Sequence, residues 1–317
     1  MYINNFFNGL SSSIDLENID SILEALIDIE PLKDAFYKLD GTLADNYLYN
    51  YFISWLGHYA QTKKHTLLSF FLGKESLDFI CLDFIKFCFY NKIIMDKEKT
   101  LNSFKAHNKL SDDAVKQHLM KIPRRKTVNL LGFGLDEGTY EKELAQFLID
   151  NNLCQNVILY GLDPYANKSE AVHYLTPEQL FVQKNLNFDL IIARWSLHHV
   201  ALQNRWKNLI QCINHCSSSA HILFVEHGTL HKKLSPNKEK LYELLNATFD
   251  IIANIGLRPN YLMQTESKTE ANFFIRYLTS KDYFTITNSI SKPVLSQTIY
   301  DVGPHFPNQT IYSFCIK

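Results

Sequence analysis

The chain lacks a charge excess of either sign. Lys and Arg number 32 against 33 Asp and Glu, for a formal net charge of −1. That balance removes the global electrostatic footprint of a nucleic-acid-binding protein. One local basic run, Lys121-Ile122-Pro123-Arg124-Arg125-Lys126, reads as a solvated linker rather than a phosphate grip. Also missing is any run of about 20 nearly uncharged apolar residues, which a membrane-spanning helix needs. The most apolar long stretch, His65 to Met95, carries Lys74, Glu75, Asp78, Asp83 and Lys86, so it reads as core helix. The first 20 residues have no basic region followed by an apolar core, so no signal peptide is expected. Six cysteines, at 81, 88, 154, 212, 216 and 315, form no disulfide framework, and reduced thiols in a cytosol are the default. The expected location is therefore cytoplasmic. Internal repeats and low-complexity tracts are absent too.

What is present is a hydrophobic content of 46% over 317 residues, enough for one large domain or two smaller ones with a real core. Two rhythms divide it. From Ile14 to about Leu119 apolar residues recur at helical spacing, as in Ile19, Ile22, Leu23, Leu26 and Ile27. Pro31 breaks or restarts that helix. A later stripe joins Leu77, Ile80, Cys81, Phe84, Phe87 and Cys88. Ser111, followed by Asp112 and Asp113, looks like the cap of another helix. An all-α region over 1–122 is expected, with no chemistry named by its residues. It would serve as a lid, an acceptor-recognition module or a homodimerisation surface.

After Pro123, short β-rich runs alternate with amphipathic segments. TVNLLGFG, NVILYGLD, FDLIIAR and HILFVEH read as strands, and EAVHYL as a weak one. TYEKELAQFLIDNN and NRWKNLIQCINHC read as helices, and NKEKLYELLNATFDIIANIG as a helix closed by Gly256. Such alternation means βαβ units and a parallel sheet. NFFIRYLTSKDYFTITNSI and QTIYSFCIK look like strands with no helix between them, an antiparallel pair at the sheet's edge. The fold expected for 123–317 is α/β: a Rossmann-like, seven-stranded, mostly parallel sheet with an antiparallel edge hairpin.

Gly132 and Gly134 fall at the carboxyl end of the first strand, where ligands of open parallel sheets bind. Lacking Cβ, they permit unusual φ and a close approach to the backbone. Asp163 ends the second strand, where a carboxylate can accept both hydroxyls of a ribose. It comes 29 residues after Gly134, against roughly 20 in a dinucleotide site. The third glycine of a dinucleotide fingerprint would stand where this chain has Glu137, an acid that repels a pyrophosphate. That argues against a nicotinamide-dependent oxidoreductase and for a phosphate-free cofactor with a cationic centre.

VNLLGFGLDEGTYEKELA, VILYGLDPYA, FDLIIARWSLHHV and HILFVEHG together resemble class I S-adenosylmethionine-dependent methyltransferases. The resemblance covers about Thr127 to Lys317. It implies S-adenosyl-L-methionine as cofactor, with Gly132, Phe133 and Gly134 under its methionine part and Asp163, with Pro164 beside it, at its ribose. It places Thr176 or Glu178 near the adenine, and Arg194, Trp195 and Ser196 along the methyl-transfer site. Family members carry an acid two residues before the first glycine; here that residue is Leu130. His199, His198 and His227 are the candidates for a general base, because imidazole titrates near neutral pH. Glu226 and His227 would orient an acceptor. Cys212 and Cys216, with His215 and His221 nearby, fall short of a closed metal site and read as core thiols.

The activity implied is methyl transfer to an O or N nucleophile of a small molecule, with protein and then RNA as later choices. A cofactor-binding scaffold without turnover is the rival class, because of Leu130. Asp163→Ala should weaken S-adenosylmethionine binding at least tenfold, about 1.4 kcal/mol. Calorimetry checks this, and an unchanged affinity removes Asp163 from the site.

Overall fold

The computed structural model describes Trp55, 77–90, 97–135, 137–163, 166–182, 186–199, 202–227, six helical positions between 244 and 255, Leu278, 280–302 and 309–317. The helices expected between 14 and 76, the Gly256 cap and the strand expected over NFFIRYL fall wholly or mainly outside these residues, as does Pro164. The chain divides into two compact units. One comprises Met1–Lys109, Lys233–Ile275 and Pro304–Asn308; the other comprises Leu110–Lys232, Arg276–Gly303 and Gln309–Lys317.

In the first unit, helix α1 (Leu77–Tyr90) buries Ile80, Cys81, Phe84, Ile85 and Cys88. Phe84 meets Trp55 edge-on at 4.7 Å between ring centroids. Helix α2 (Lys97–Leu119), which begins in this unit and ends in the other, runs as one element through Ser111, which is buried mid-helix. The expected cap at Ser111 is therefore wrong: residues before it are already helical, so the amides after it find carbonyls four residues back.

The second unit carries the sheet. Its elements are β1 (Thr127–Phe133), α3 (Thr139–Asp150), β2 (Asn156–Leu162), β3 (His173–Tyr174), α4 (Pro177–Val182), β4 (Phe188–Arg194), α5 (Leu202–Asn214), β5 (Cys216–His227), α6 (Ser280–Ser289), β6 (Val294–Val302) and β7 (Gln309–Ile316). Strand order is β3-β2-β1-β4-β5-β7-β6. β1 to β5 pair in parallel, while β7 runs antiparallel to both β5 and β6. The seven-stranded α/β sheet with an antiparallel edge stands as the sequence predicts, but the strand beside β7 is β6, Val294–Val302, which was not among the expected strands. One expected strand differs: 280–289 is a helix, not a strand. Its Tyr, Phe, Thr and Ile have strand propensity, but Tyr283, Ile286 and Ile290 recur at helical spacing and are buried against the sheet. Burying that face outweighs local preference.

Both faces of the sheet are covered, which is why its strands read as continuous apolar runs. Leu131, Ile191, Ala193, Ile222 and Phe224 face α4, α5 and α6. Their neighbours Leu130, Leu190, Ile192, Leu223 and Val225 face α3 and the end of α2, where Val115 and Leu119 pack. The period of two along each strand produces this division. At the amino ends, Asp189 joins three strands. It accepts the Asn129 N–H at 2.9 Å and the Ser217 hydroxyl at 2.6 Å, and pairs with Arg125 at 2.9 Å. Cys216 opens β5 rather than continuing a helix, and its thiol donates to the Cys212 carbonyl. His215 Nε2 lies 2.5 Å from the Leu180 carbonyl oxygen. No described helix is long and apolar enough to cross a membrane.

His118 of α2 and His221 of β5 meet with ring centroids 5.6 Å apart. Burial, helped by neighbouring His221 and Lys121, lowers His118 from the ordinary 6.5 to about 4. Burial and Arg125 also lower His221. The unfolded chain thus takes up these protons at higher pH than the native one, so stability falls as pH drops from about 6.5 towards 4. Thermal unfolding across that range should show a falling midpoint, with a shallower fall in His118→Gln. Equal slopes for the two proteins remove His118 as a source.

Candidate functional site

The strand order reverses between β1 and β4, so the carboxyl ends of these two strands open the crevice where such sheets bind ligands. The β1 exit is built from glycine for two separate reasons. Gly134 has φ 72°, and a Cβ there would lie 2.3 Å from that of Ser196. The Ser196 hydroxyl donates to the Phe133 carbonyl at 2.6 Å, and the Gly134 N–H donates to the Leu162 carbonyl at 3.0 Å. The exits of β4, β1 and β2 are thus held side by side, and Asp163 follows directly on Leu162. Gly132, with Gly138 and Gly161, makes room for the buried Leu135 side chain, whose atoms would lie 2.9, 3.1 and 2.6 Å from added Cβ atoms. Much of the glycine requirement therefore comes from the protein's own packing. Phe133 is buried in the core with Leu162, Ala193 and Leu197, so its side chain faces inward.

The other expected residues separate into two groups. Thr176 is exposed and caps α4: its N–H donates to Gln179 Oε1 at 2.8 Å, and Gln179 N–H donates to its hydroxyl at 3.3 Å. This is a reciprocal cap. Arg194, Trp195 and Ser196 do gather at the β4 exit. The Arg194 guanidinium lies between the Tyr140 ring, 3.8 Å away, and the Trp195 ring, 4.1 Å away. It also donates to Asp112 at 2.8 Å. Trp195 adopts φ 49°, a left-handed conformation costly for a bulky residue, and stacks on His227 with rings 5.6 Å apart and 5° from parallel.

Glu226 fixes the turn after β4. One carboxylate oxygen accepts the N–H groups of Ser196 at 3.0 Å and Leu197 at 2.8 Å. The other lies 2.5 Å from His198 Nδ1, with both side chains fully buried. His199 is exposed, and its ring lies 4.1 Å from that of His198. His227 is buried, its ring 5.5 Å from that of His198. The three candidate histidines therefore share one place, each with a different environment.

Glu141 was not among the sequence candidates. It lies in the first turn of α3 and is buried. Burial pushes its carboxyl up to about 7; the nearby Asp163 acts in the same direction, while its own N–H, Arg194 and Lys142 pull it down. Its one sequence signal was an acid early in the helix that follows the glycine turn.

No protein-family model matches the chain, and no curated protein matches it in sequence. Solved structures similar in shape include the following three. One is magnesium protoporphyrin IX methyltransferase from Synechocystis PCC 6803 with bound S-adenosylhomocysteine, at 13% identity and TM-score 0.36 over 65% of this chain and 82% of that one. Another, named as an O-methyltransferase, comes from Nostoc punctiforme PCC 73102, at 10% identity and TM-score 0.43 over 91% and 74%. The third is PigF with S-adenosylhomocysteine, at 13% identity and TM-score 0.39 over 83% and 73%. At such scores the fold rests on the strand order itself. Five parallel strands with the last strand inserted antiparallel between β5 and β6 form a Rossmann-like sheet.

Gly134→Ala should destabilise the protein by on the order of 1–3 kcal/mol, from backbone strain and the contact with Ser196. Urea unfolding measures it. A change within about 0.5 kcal/mol would mean that the Gly134 turn is free to relax.

Proposed function

We propose that the chain is a cytosolic methyltransferase that moves a methyl group from S-adenosylmethionine to a hydroxyl or amine of a small molecule. The observation that carries this is the buried His198–Glu226 pair at the carboxyl ends of β4 and β5, on the crevice side of the sheet. A carboxylate on Nδ1 fixes the tautomer and orientation of an imidazole and stabilises its protonated form. His198 then accepts the acceptor's proton, and Glu226 is its positioning residue. His199 and His227 flank the same ring and shape the acceptor's approach.

The residues across the crevice suit a cationic, phosphate-free cofactor. Asp163 lies near Glu141, and Glu141 and Asp112 both lie near Arg194, a carboxylate-rich set that would repel a pyrophosphate. Asp163 would accept hydrogen bonds from the ribose hydroxyls, and the turn at Gly134 would run beneath the amino-acid part. When bound, the cofactor would supply an electron-poor methyl carbon for in-line displacement, a reaction accelerated mainly by positioning. The helical region before 123 is assigned to acceptor recognition or to pairing of two copies. A cofactor-binding protein without turnover is the second reading, favoured by Leu130 and by the Leu135 side chain over the glycines.

His198→Gln should lower turnover at least a hundredfold, within the range that general bases contribute, while S-adenosylmethionine affinity stays within twofold. Glu226→Gln should also slow turnover and shift the limb of the pH–rate profile that reports the base. The assays are transfer of labelled methyl to cell extract and calorimetry of the cofactor. Undiminished transfer by His198→Gln would exclude the base. Tight cofactor binding with no transfer by the wild-type protein would favour the second reading.

A further inference from the structure

Leu130 and Gly132 stand two residues apart on β1 and so face the same side of the sheet. On that side Leu130 packs with Leu144 and Leu148 of α3. Gly132 leaves a gap in the row, which Glu141 shares with the Leu135 Cβ. The Glu141 Cγ and Cδ lie 3.0 and 3.1 Å from where a Gly132 Cβ would stand. A carboxyl thus arrives from the helix at a strand end where the strand itself offers only leucine and glycine. Glu141 is 4% exposed, so the carboxyl is withheld from bulk water.

The charges facing it come from four elements. Arg194 projects from β4, Asp163 follows β2, Lys142 belongs to α3 itself, and Asp112 of α2 lies beyond Arg194. Both cations have partners of their own: Arg194 donates to Asp112, and the Lys142 ammonium donates to the Ser169 hydroxyl at 2.8 Å. Asp163 stands close enough at the β2 exit for its charge to act on Glu141. Such an arrangement is costly when both are ionised, and a bound cation relieves the cost.

We propose that Glu141 is the acid of the cofactor site, its carboxylate receiving the α-ammonium of the methionine part of S-adenosylmethionine in place of the acid that β1 lacks at Leu130. This rests on the methyltransferase reading. Burial and Asp163 hold the unliganded carboxyl partly protonated near pH 7. The arriving ammonium favours the ionised form, so binding at pH 7 expels a fraction of a proton.

Calorimetry on the full chain tests this with three probes: S-adenosylmethionine, S-adenosylhomocysteine and 5′-methylthioadenosine, which has no amino-acid part. Glu141→Gln should lose at least tenfold affinity for the first two and less than twofold for the third. Heats measured in two buffers of different ionisation enthalpy should show proton release by the wild type with S-adenosylhomocysteine and none with 5′-methylthioadenosine. An equal loss for all three probes, or no loss for the first two, overturns the assignment and leaves Glu141 as a helix-end residue. The buffer comparison needs no variant, so absent proton release by the wild type overturns the assignment even where Glu141→Gln fails to fold. If the wild type binds none of the probes, the methyltransferase reading fails first and the assignment falls with it. If 5′-methylthioadenosine binds normally while the other two ignore the substitution, only the assignment fails.

Discussion

The buried carboxylate of Glu226 organises the functional end of the sheet. It takes two backbone N–H groups from the segment after β4 and one imidazole from the turn beyond it. A carboxylate in a dry interior is tolerated only when its lone pairs are occupied, and here three donors occupy them. The converse holds as well. Without that carboxylate, two inward-turned amides and a buried ring nitrogen would be left unsatisfied, at about 1–3 kcal/mol each. The β4 exit can therefore take one conformation, and the left-handed Trp195 is a consequence of it. That residue turns the chain sharply enough to aim the amides of Ser196 and Leu197 back at β5.

Everything else at the crevice is placed relative to that fixed turn. Ser196 reaches across to the Phe133 carbonyl and occupies the space that a side chain on Gly134 would need. The glycine is thus demanded by β4 as much as by any ligand. On the α3 side, Tyr140, Arg194, Trp195 and His227 stack in sequence, with Asp112 neutralising the guanidinium. The chemistry divides along the switch point: carboxyls gather over β1 and β2, imidazoles over β4 and β5.

Long, one-sided signals were legible from residues alone. The apolar runs of β1, β2, β4 and β5 could be placed because both faces of a parallel sheet are buried, which leaves little room for alternatives. The glycine turn and Asp163 could be placed at strand ends because glycine and Asp-Pro punctuate an apolar run. Other features resisted for physical reasons. Residues 280–289 carry strand-forming side chains, and only the surface they cover makes them helical. Ser111 has the appearance of a cap because capping is judged over three or four residues, whereas its helix begins fourteen residues earlier. Thr176 has the appearance of a cofactor contact, yet its partner lies three residues away in Gln179.

Composition and periodicity were sufficient to determine an α/β sheet, its parallel strands and an antiparallel edge. These depend on hydrophobic spacing, which is a property of consecutive residues. Folding alone decided which acids and imidazoles meet. Glu226 and His198 are 28 residues apart, and Glu141 shares its gap with a glycine nine positions earlier. Such pairings follow from how strands are ordered and how a helix packs against them. A carboxylate's role is set by the groups that surround it after burial, and a linear sequence does not contain those distances.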